Sequence, residues 1–437
     1  MSKMKQWFSG SLATVFVLSY SVPVSAFTIN AGDTMTVESI NGAAYTYSTA
    51  GDIIINGTLQ GFDRVAPSGA ATGNGANITL TSGGQIIVGP TGRIIINGTI
   101  VGGNGGTLIL NASSITIDGI ISANGLGTGG QGGSIQINGT TLNLGNAASI
   151  SAQAGDVNSL GGSVTFNCSG LITLNTGSAV STKGASDATH NLISVTGSGV
   201  NLGGQLNAQS RGTDNGGTIT IAASTGTVTV TSSGSIIAAG YINNDGGTIT
   251  LTGNVNNQGL ISAAAGTGNA TGGAISITGG STKSFSQTAG GKILANGQSS
   301  ATSSNGGSIT INTGSVTVNN TVSGVTMDVS GSKLDNGTGV GGDIDIRATN
   351  GDLNLTDVDI RNYGSGGTIY LRSNTGDVNI GSGSYIYGFG DGTHRMDLIS
   401  STGDVNVNTN IGMDGIRANR QLNQPQVTAE ARYRNAA

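Results

Sequence analysis

The sequence predicts an all-β fold: a single-stranded parallel β-helix (β-solenoid) with three short strands per coil and roughly a dozen coils. Three observations predict it. A motif opening with two glycines, such as Gly132-Gly133-Ser134-Ile135-Gln136-Ile137-Asn138, recurs at intervals mostly near thirty residues. Each copy then alternates polar and aliphatic residues at strand period. The dominant Gly, Thr, Ser and Asn carry no 3.6-residue period and disfavour helix.

Composition narrows the class. The 437 residues would fill two or three ordinary domains. Charged residues are 9 % and glycines number 78, which without a period would suggest low complexity or disorder. The period, and the regular Ile, Val and Leu that can bury surface, exclude that reading. The net charge of −5, or −7 without Lys3 and Lys5, has no basic stripe and argues against nucleic acid and polybasic membrane docking. The single cysteine, Cys168, excludes a disulfide framework and reads as a small buried filler.

In chain order, residues 1–26 read as a signal peptide: basic Lys3 and Lys5, an apolar stretch Leu12 to Val22, and the cleavage signal Val24-Ser25-Ala26. Residues 27–74 are less regular and read as an N-terminal cap and first coils, with Ile53-Ile54-Ile55 copied at Ile94-Ile95-Ile96. Residues 75–413 are the β-helix repeats, with clear glycine pairs starting at Gly105, Gly132, Gly161, Gly216, Gly246, Gly272, Gly306, Gly341 and Gly366. Between Gly161 and Gly216, His190-Asn191-Leu192-Ile193 reads as a copy that lost its glycines, and a worn copy follows near Arg395. Residues 414–437 form a polar C-terminal tail with Arg417, Arg420, Arg432 and Arg434.

Offsets three and five from each first glycine, such as Ile135 and Ile137 or Ile219 and Ile221, should point into the core. Two further runs complete each coil, as in Thr141-Leu142-Asn143-Leu144 and Ser149-Ile150-Ser151-Ala152. Pairing each run with its next copy predicts three parallel sheets and, at ~4.8 Å per coil, a rod about 55–65 Å long. The glycine pair is expected to supply positive φ at a corner. Asn111, Asn138 and Asn167, at one offset, should form a ladder satisfying backbone groups at a turn. The long copies at Gly272 and Gly306 carry extra residues, including Gln298 to Asn305, that should form loops on one face.

Chemistry-bearing residues are sparse. No catalytic residue, cofactor site or metal site is assigned from the sequence. The one candidate polar patch is Asp343, Asp345, Asp357 and Asp359 with Arg347 and Arg372, the two arginines expected to stack in successive coils. Acids so spaced suit oxygen coordination of Ca²⁺ or an acid/base pair, and equally a solvated face of Asp–Arg pairs. The calcium repeat G-G-x-G-x-D does not occur in register. Asp391, His394, Arg395 and Asp397 form a second polar cluster.

Copies such as Asn215-Gly216-Gly217-Thr218-Ile219-Thr220-Ile221 and Asn305-Gly306-Gly307-Ser308-Ile309-Thr310-Ile311 resemble coils of filamentous haemagglutinin-type exoproteins, as does Ile120-Ile121-Ser122-Ala123-Asn124-Gly125. The resemblance covers roughly residues 75–410. It implies a secreted or cell-surface protein, extracellular or outer-membrane-associated, of a Gram-negative-type bacterium. It also implies adhesion to cell-surface or matrix glycans or proteins. An outer-membrane export partner would go with it, but the Asn-Pro-Asn-Gly type secretion motif is not found. The expected role is non-enzymatic, adhesive or surface-structural. The alternative is a carbohydrate-active β-helix enzyme, a polysaccharide lyase or hydrolase.

Overall fold

The computed structural model describes residues 26–413 except 66–67, 187–189, 213, 289, 299–302, 323, 333–338, 390–393 and 410. The leader before residue 26, the tail from residue 414, Asp391 and part of the Gln298–Asn305 stretch therefore lie outside the described residues. Among the described residues every regular element is a strand.

The chain winds as a parallel β-solenoid of about a dozen turns. One coil shows the plan. Thr107–Ile117 carries the first and second runs, and Ile120–Ser122 the third. The next coil repeats them as Ser134–Leu144 and Ser149–Ser151, with Leu108 beside Ile135 and Ile121 beside Ile150. The copy lacking glycines takes its place: Leu192–Gly197 pairs with Ser163–Cys168 on one side and Thr218–Val230 on the other. The worn copy His394–Ser400 pairs with Gly367–Ser373.

The three runs build two sheets rather than the expected three. In several coils the first and second runs form one bent strand, as in Thr107–Ile117, and this joins their ladders into a 21-stranded sheet. The third runs form the other sheet, in which fourteen parallel strands stand in line. At the first bend the ladders shift register between Ala222 and Thr227 and between Thr252 and Val255, and Gly253 and Gly280 there take positive φ.

Parallel pairing begins at Phe27–Ile29, which lies beside Ile53–Ile55. Among the strands of the described residues the exception to parallel pairing is a hairpin in which Ala70–Gly75 runs antiparallel to Thr58–Val65; isolated antiparallel bridges also join Ile40 to Ala43 and Gly103 to Leu126. At the other end Ile411–Met413 pairs with Tyr385–Phe389.

Offsets three and five face inward throughout. Leu108, Leu110, Ile135, Ile137, Val164, Phe166, Ile219 and Ile221 are fully buried. Each such side chain contributes about 1.5–3 kcal/mol of transfer free energy. Cys168 is a buried free thiol in the same core.

The glycine pairs do a different job from the one expected. Only Gly366 and Gly367 have positive φ, at 98° and 121°; the eight other pairs have ordinary backbone. Close approach is the reason for glycine. A Cβ on Gly132 would collide with the carbonyl of Ala152, and one on Gly133 with the carbonyl of Gly106 in the preceding coil. This closeness lets Gly133 N–H donate to Ala123 O at 2.7 Å and Gly247 N–H donate to Ala238 O at 2.6 Å. The facing third-run column is correspondingly small and fully buried: Ala123, Ala152, Ala208, Ala238, Ala263 and Ala295. Glycine and alanine thus form a seam along the rod.

Where the seam loses glycine, a buried amide enters. Asn191 occupies the second-glycine position at φ 55° with no exposure. Its Nδ2 donates to Gly184 O at 3.1 Å and Ala208 O at 3.0 Å, and its Oδ1 accepts from Thr182 Oγ1 at 2.9 Å. A second intrusion lies in the inward aliphatic column of the second run. There Asn257 and Gln287, both fully buried, follow Val230 and precede Val318 in register. Asn257 Nδ2 donates to Gln287 Oε1 at 3.1 Å, and Gln287 Nε2 to Gly291 O at 2.8 Å.

The asparagine ladder is real but sits elsewhere. Asn138 Nδ2 donates to Asn111 Oδ1 at 2.8 Å, a side-chain bond on the outer face, while Asn167 continues the register exposed. Turn backbone is satisfied by other residues. Asn124 N–H donates to Asn97 Oδ1 and Gln153 N–H to Asn124 Oδ1, each at 2.7 Å. Asp352, Asp377 and Asp404 repeat the device late in the chain, at 2.9 and 2.8 Å. An Asx oxygen in one coil accepts from the next coil's N–H, so the turns are hydrogen-bonded along the rod axis.

Candidate functional site

The candidate patch is divided between sheets. Asp343, Asp345 and Arg347 lie on the first-run strand Asp343–Ala348, alternating with fully buried Ile344 and Ile346, so all three face outward. Arg372 lies on the next first run, in register with Arg347, as stacking required. Asp357 sits at the turn before the third run, exposed at φ 52°, and Asp359 opens the third-run strand Asp359–Tyr363. The structure therefore brings Asp343, Asp345, Arg347 and Arg372 together and leaves Asp357 at a turn and Asp359 on the other sheet.

Within each face the charges close on each other. Arg372 Nη2 is 2.6 Å from Asp345 Oδ2, and its guanidinium lies 4.7 Å from the Tyr370 ring centroid. Arg347 Nε donates to Asn374 Oδ1 at 3.1 Å. One coil on, Arg395 holds Asp397 through Nε at 3.0 Å and Nη2 at 2.5 Å, 5.5 Å from the same Tyr370 ring. That hydrogen bond raises the Arg395 guanidinium above its ordinary range. His394 does not join this cluster. It takes the second-glycine position, in register with Gly367, and its Nε2 lies 2.9 Å from Gly364 O in the seam.

On the third-run sheet Arg361 is bidentate to Asp359, at 2.9 Å through Nε and 2.6 Å through Nη2. This bond raises the Arg361 guanidinium, with Asp328 adding to it from the preceding coil. Tyr363 ends the same strand and is half-buried, and desolvation pushes its phenol up. Tyr385 and Tyr387 stand beside Asp359 and Arg361 in the next coil.

Sequence reading missed these tyrosines. The signal was present: between Phe62 and Tyr363 the only aromatic residues are Phe166, Tyr241 and Phe285, whereas Tyr363, Tyr370, Tyr385, Tyr387 and Phe389 crowd the next stretch.

Cys168 offers no nucleophile, since burial pushes its thiol up to about 11. Among the described residues no three His, Cys, Asp or Glu side chains group closely enough to hold a metal ion. Likewise, none of the described residues forms a helix long and apolar enough to cross a membrane.

No known family model matches the chain, and neither does any curated protein. Among solved structures the chain is similar to the crystal structure of the HMW1 secretion domain from Haemophilus influenzae. The identity is 14 %, over 88 % of this chain and 95 % of that one, with a TM-score of 0.27. A likeness of that depth carries no argument for the fold or the role of this chain, which rest on its own register and side chains.

Proposed function

We propose that this chain is a secreted or cell-surface rod with a non-enzymatic, adhesive or surface-structural role. One observation carries the reading: three of the outward arginines are each held by an acid of their own face. Asp345 closes on Arg372, Asp397 on Arg395 and Asp359 on Arg361. Groups held this way stabilise and order a surface. An acid/base mechanism instead needs carboxyls aimed at a shared reacting centre. Division of the four aspartates between one sheet, a turn and the other sheet is unfavourable for such a centre. The outer faces present in-register hydroxyls and amides, such as Ser134 with Ser163 and Asn354 with Asn379 and Asn406. These suit broad polar contact with glycans or proteins of a cell surface or matrix. The leader expected over residues 1–26 supports a position outside the cytoplasm, and the Gram-negative setting belongs to this proposal; the missing secretion motif gives no support to an outer-membrane export partner.

The test is attachment. Beads coated with the purified chain should bind a cell or matrix surface above uncoated beads, and deleting the gene should lower attachment of the producing cells. Unchanged attachment in both assays would remove the adhesive reading. Release of reducing sugar or unsaturated product from uronate polymers, abolished by substituting Asp343 and Asp345, would replace it with the enzyme.

A further inference from the structure

We propose that the outer face of the third-run sheet at its C-terminal end binds a neutral saccharide, with Tyr385 and Tyr387 as the stacking surface and Asp359 and Arg361 as its hydrogen-bonding flank. The inference rests on the adhesive reading above and gives it a ligand class.

The register builds a small grid. Asp359, Arg361 and Tyr363 form one row, and Tyr385, Tyr387 and Phe389 the next, with Asp359 beside Tyr385 and Arg361 beside Tyr387. Neighbouring rows lie ~4.8 Å apart. The Tyr385 and Tyr387 rings are within 9° of parallel, with centroids 6.0 Å apart. Tyr385 is 50 % exposed, which is a poor use of an aromatic ring if its role were packing. In the following coil Gly412 lies beside Tyr387.

A pyranose matches this combination. Its C–H face is apolar and lies flat on an aromatic ring, while its hydroxyls project from the edge as both donors and acceptors. The Asp359 carboxylate accepts and the Arg361 guanidinium donates, and their mutual bonds fix both before a ligand arrives. Charge selects the class of sugar. The cation of the grid, Arg361, is already held by Asp359 with the buried Asp328 beside it in register, and Lys292 on the same face lies two rows away, so the grid offers a uronate or sulfated sugar no cation that is not already paired.

Affinity electrophoresis of the full mature chain tests this, with hydroxyethylcellulose and galactomannan as neutral polymers, polygalacturonate as the charged one, and an array of neutral glycans alongside. A neutral probe should bind the chain. Tyr385→Ala with Tyr387→Ala should weaken that binding roughly tenfold or more, and Tyr385→Phe should keep it within about threefold. Tyr241→Ala, on a distant loop, should leave it unchanged. Because the double variant removes two rings, the single Tyr385→Ser at the half-exposed position serves as a second variant with a smaller loss in the same direction. Binding to no neutral probe, binding to polygalacturonate alone, or equal binding by the wild type and both tyrosine variants would overturn the site. Surface attachment and saccharide binding that both survive the double variant remove the site but keep the adhesive reading. Saccharide binding without any surface attachment keeps the site and removes that reading.

Discussion

The coil led by Gly132-Gly133 and the coil led by His190-Asn191 meet the same packing demand in opposite ways. In the first, absence of side chains lets Gly133 N–H reach Ala123 O. In the second, a fully buried amide fills the space and bonds to Thr182, Gly184 and Ala208. The difference teaches that the seam requires satisfied polar groups at close quarters and is indifferent to who supplies them. Asn257 and Gln287 apply the same rule inside an otherwise aliphatic column.

The largest effect should come from breaking the regular solution. In Gly133→Ala the new methyl meets backbone carbonyl of the preceding coil, which no rotamer change can relieve. We expect a loss of about 3 kcal/mol or more, read as a lowered denaturant midpoint. Faster hydrogen exchange should be concentrated in the coils around Gly106 and Gly133, because a repeat array opens locally. A stability equal to wild type would show that the seam is looser than its hydrogen bonds imply.

The amide solution should be the next most sensitive. Asn191→Ala strands Thr182 Oγ1 and Gly184 O, while Ala208 O keeps the Gly217 N–H, and it keeps the left-handed backbone, so about 2–3 kcal/mol should be lost. Asn191→Gly restores the residue used by other coils and accepts φ 55° without strain, so it should be about 1 kcal/mol milder. If alanine proved the milder replacement, the comparison between the two coils would fail.

Asn257 and Gln287 sharpen it further through a double-substitution cycle. Asn257→Leu or Gln287→Leu alone leaves one amide facing a leucine and should cost roughly 1–3 kcal/mol. The pair together should cost clearly less than the sum, with a coupling of about 1 kcal/mol, because both polar groups then leave the core. Additive losses would mean that each amide is held by backbone carbonyls and not by its neighbour.

These regions also show what was legible beforehand. Offsets three and five, the three runs and the coil around Leu192 to Val195 were readable because an inward aliphatic column repeats its residues at a fixed interval. The reason for the glycines was not readable, since positive φ and close approach select the same residue. Continuity of the first and second runs was hidden too, because a bend such as Asn111 to Ser114 uses ordinary strand residues. At the candidate patch, facing and the Arg347–Arg372 register followed from alternation. Separation of Asp359 from Asp345 did not, because closeness in sequence crosses a corner of the coil. The tyrosines of the late third runs were legible as composition, but their meeting with Asp359 and Arg361 was not, because it arises only from the register of successive coils.

The smallest effect belongs to the outer face, where neither seam nor core is involved. Asp345 and Arg372 are each about one-third exposed, at 36 % and 32 %. Asp345→Asn removes the charge and little else, so it should cost under about 1 kcal/mol at low salt and nothing measurable in ~1 M salt, where the Debye length falls to ~3 Å. Arg372→Ala removes the ion pair and also the contact with Tyr370. A residual loss of roughly 0.5 kcal/mol should therefore persist at high salt, because packing of the guanidinium on a ring survives screening better than the ion pair does. Denaturant midpoints of the two variants at both ionic strengths decide the point. Equal losses for the two variants in ~1 M salt, both near zero, would mean that Tyr370 contributes nothing to holding Arg372, and that the ordered charge on this face is electrostatic alone.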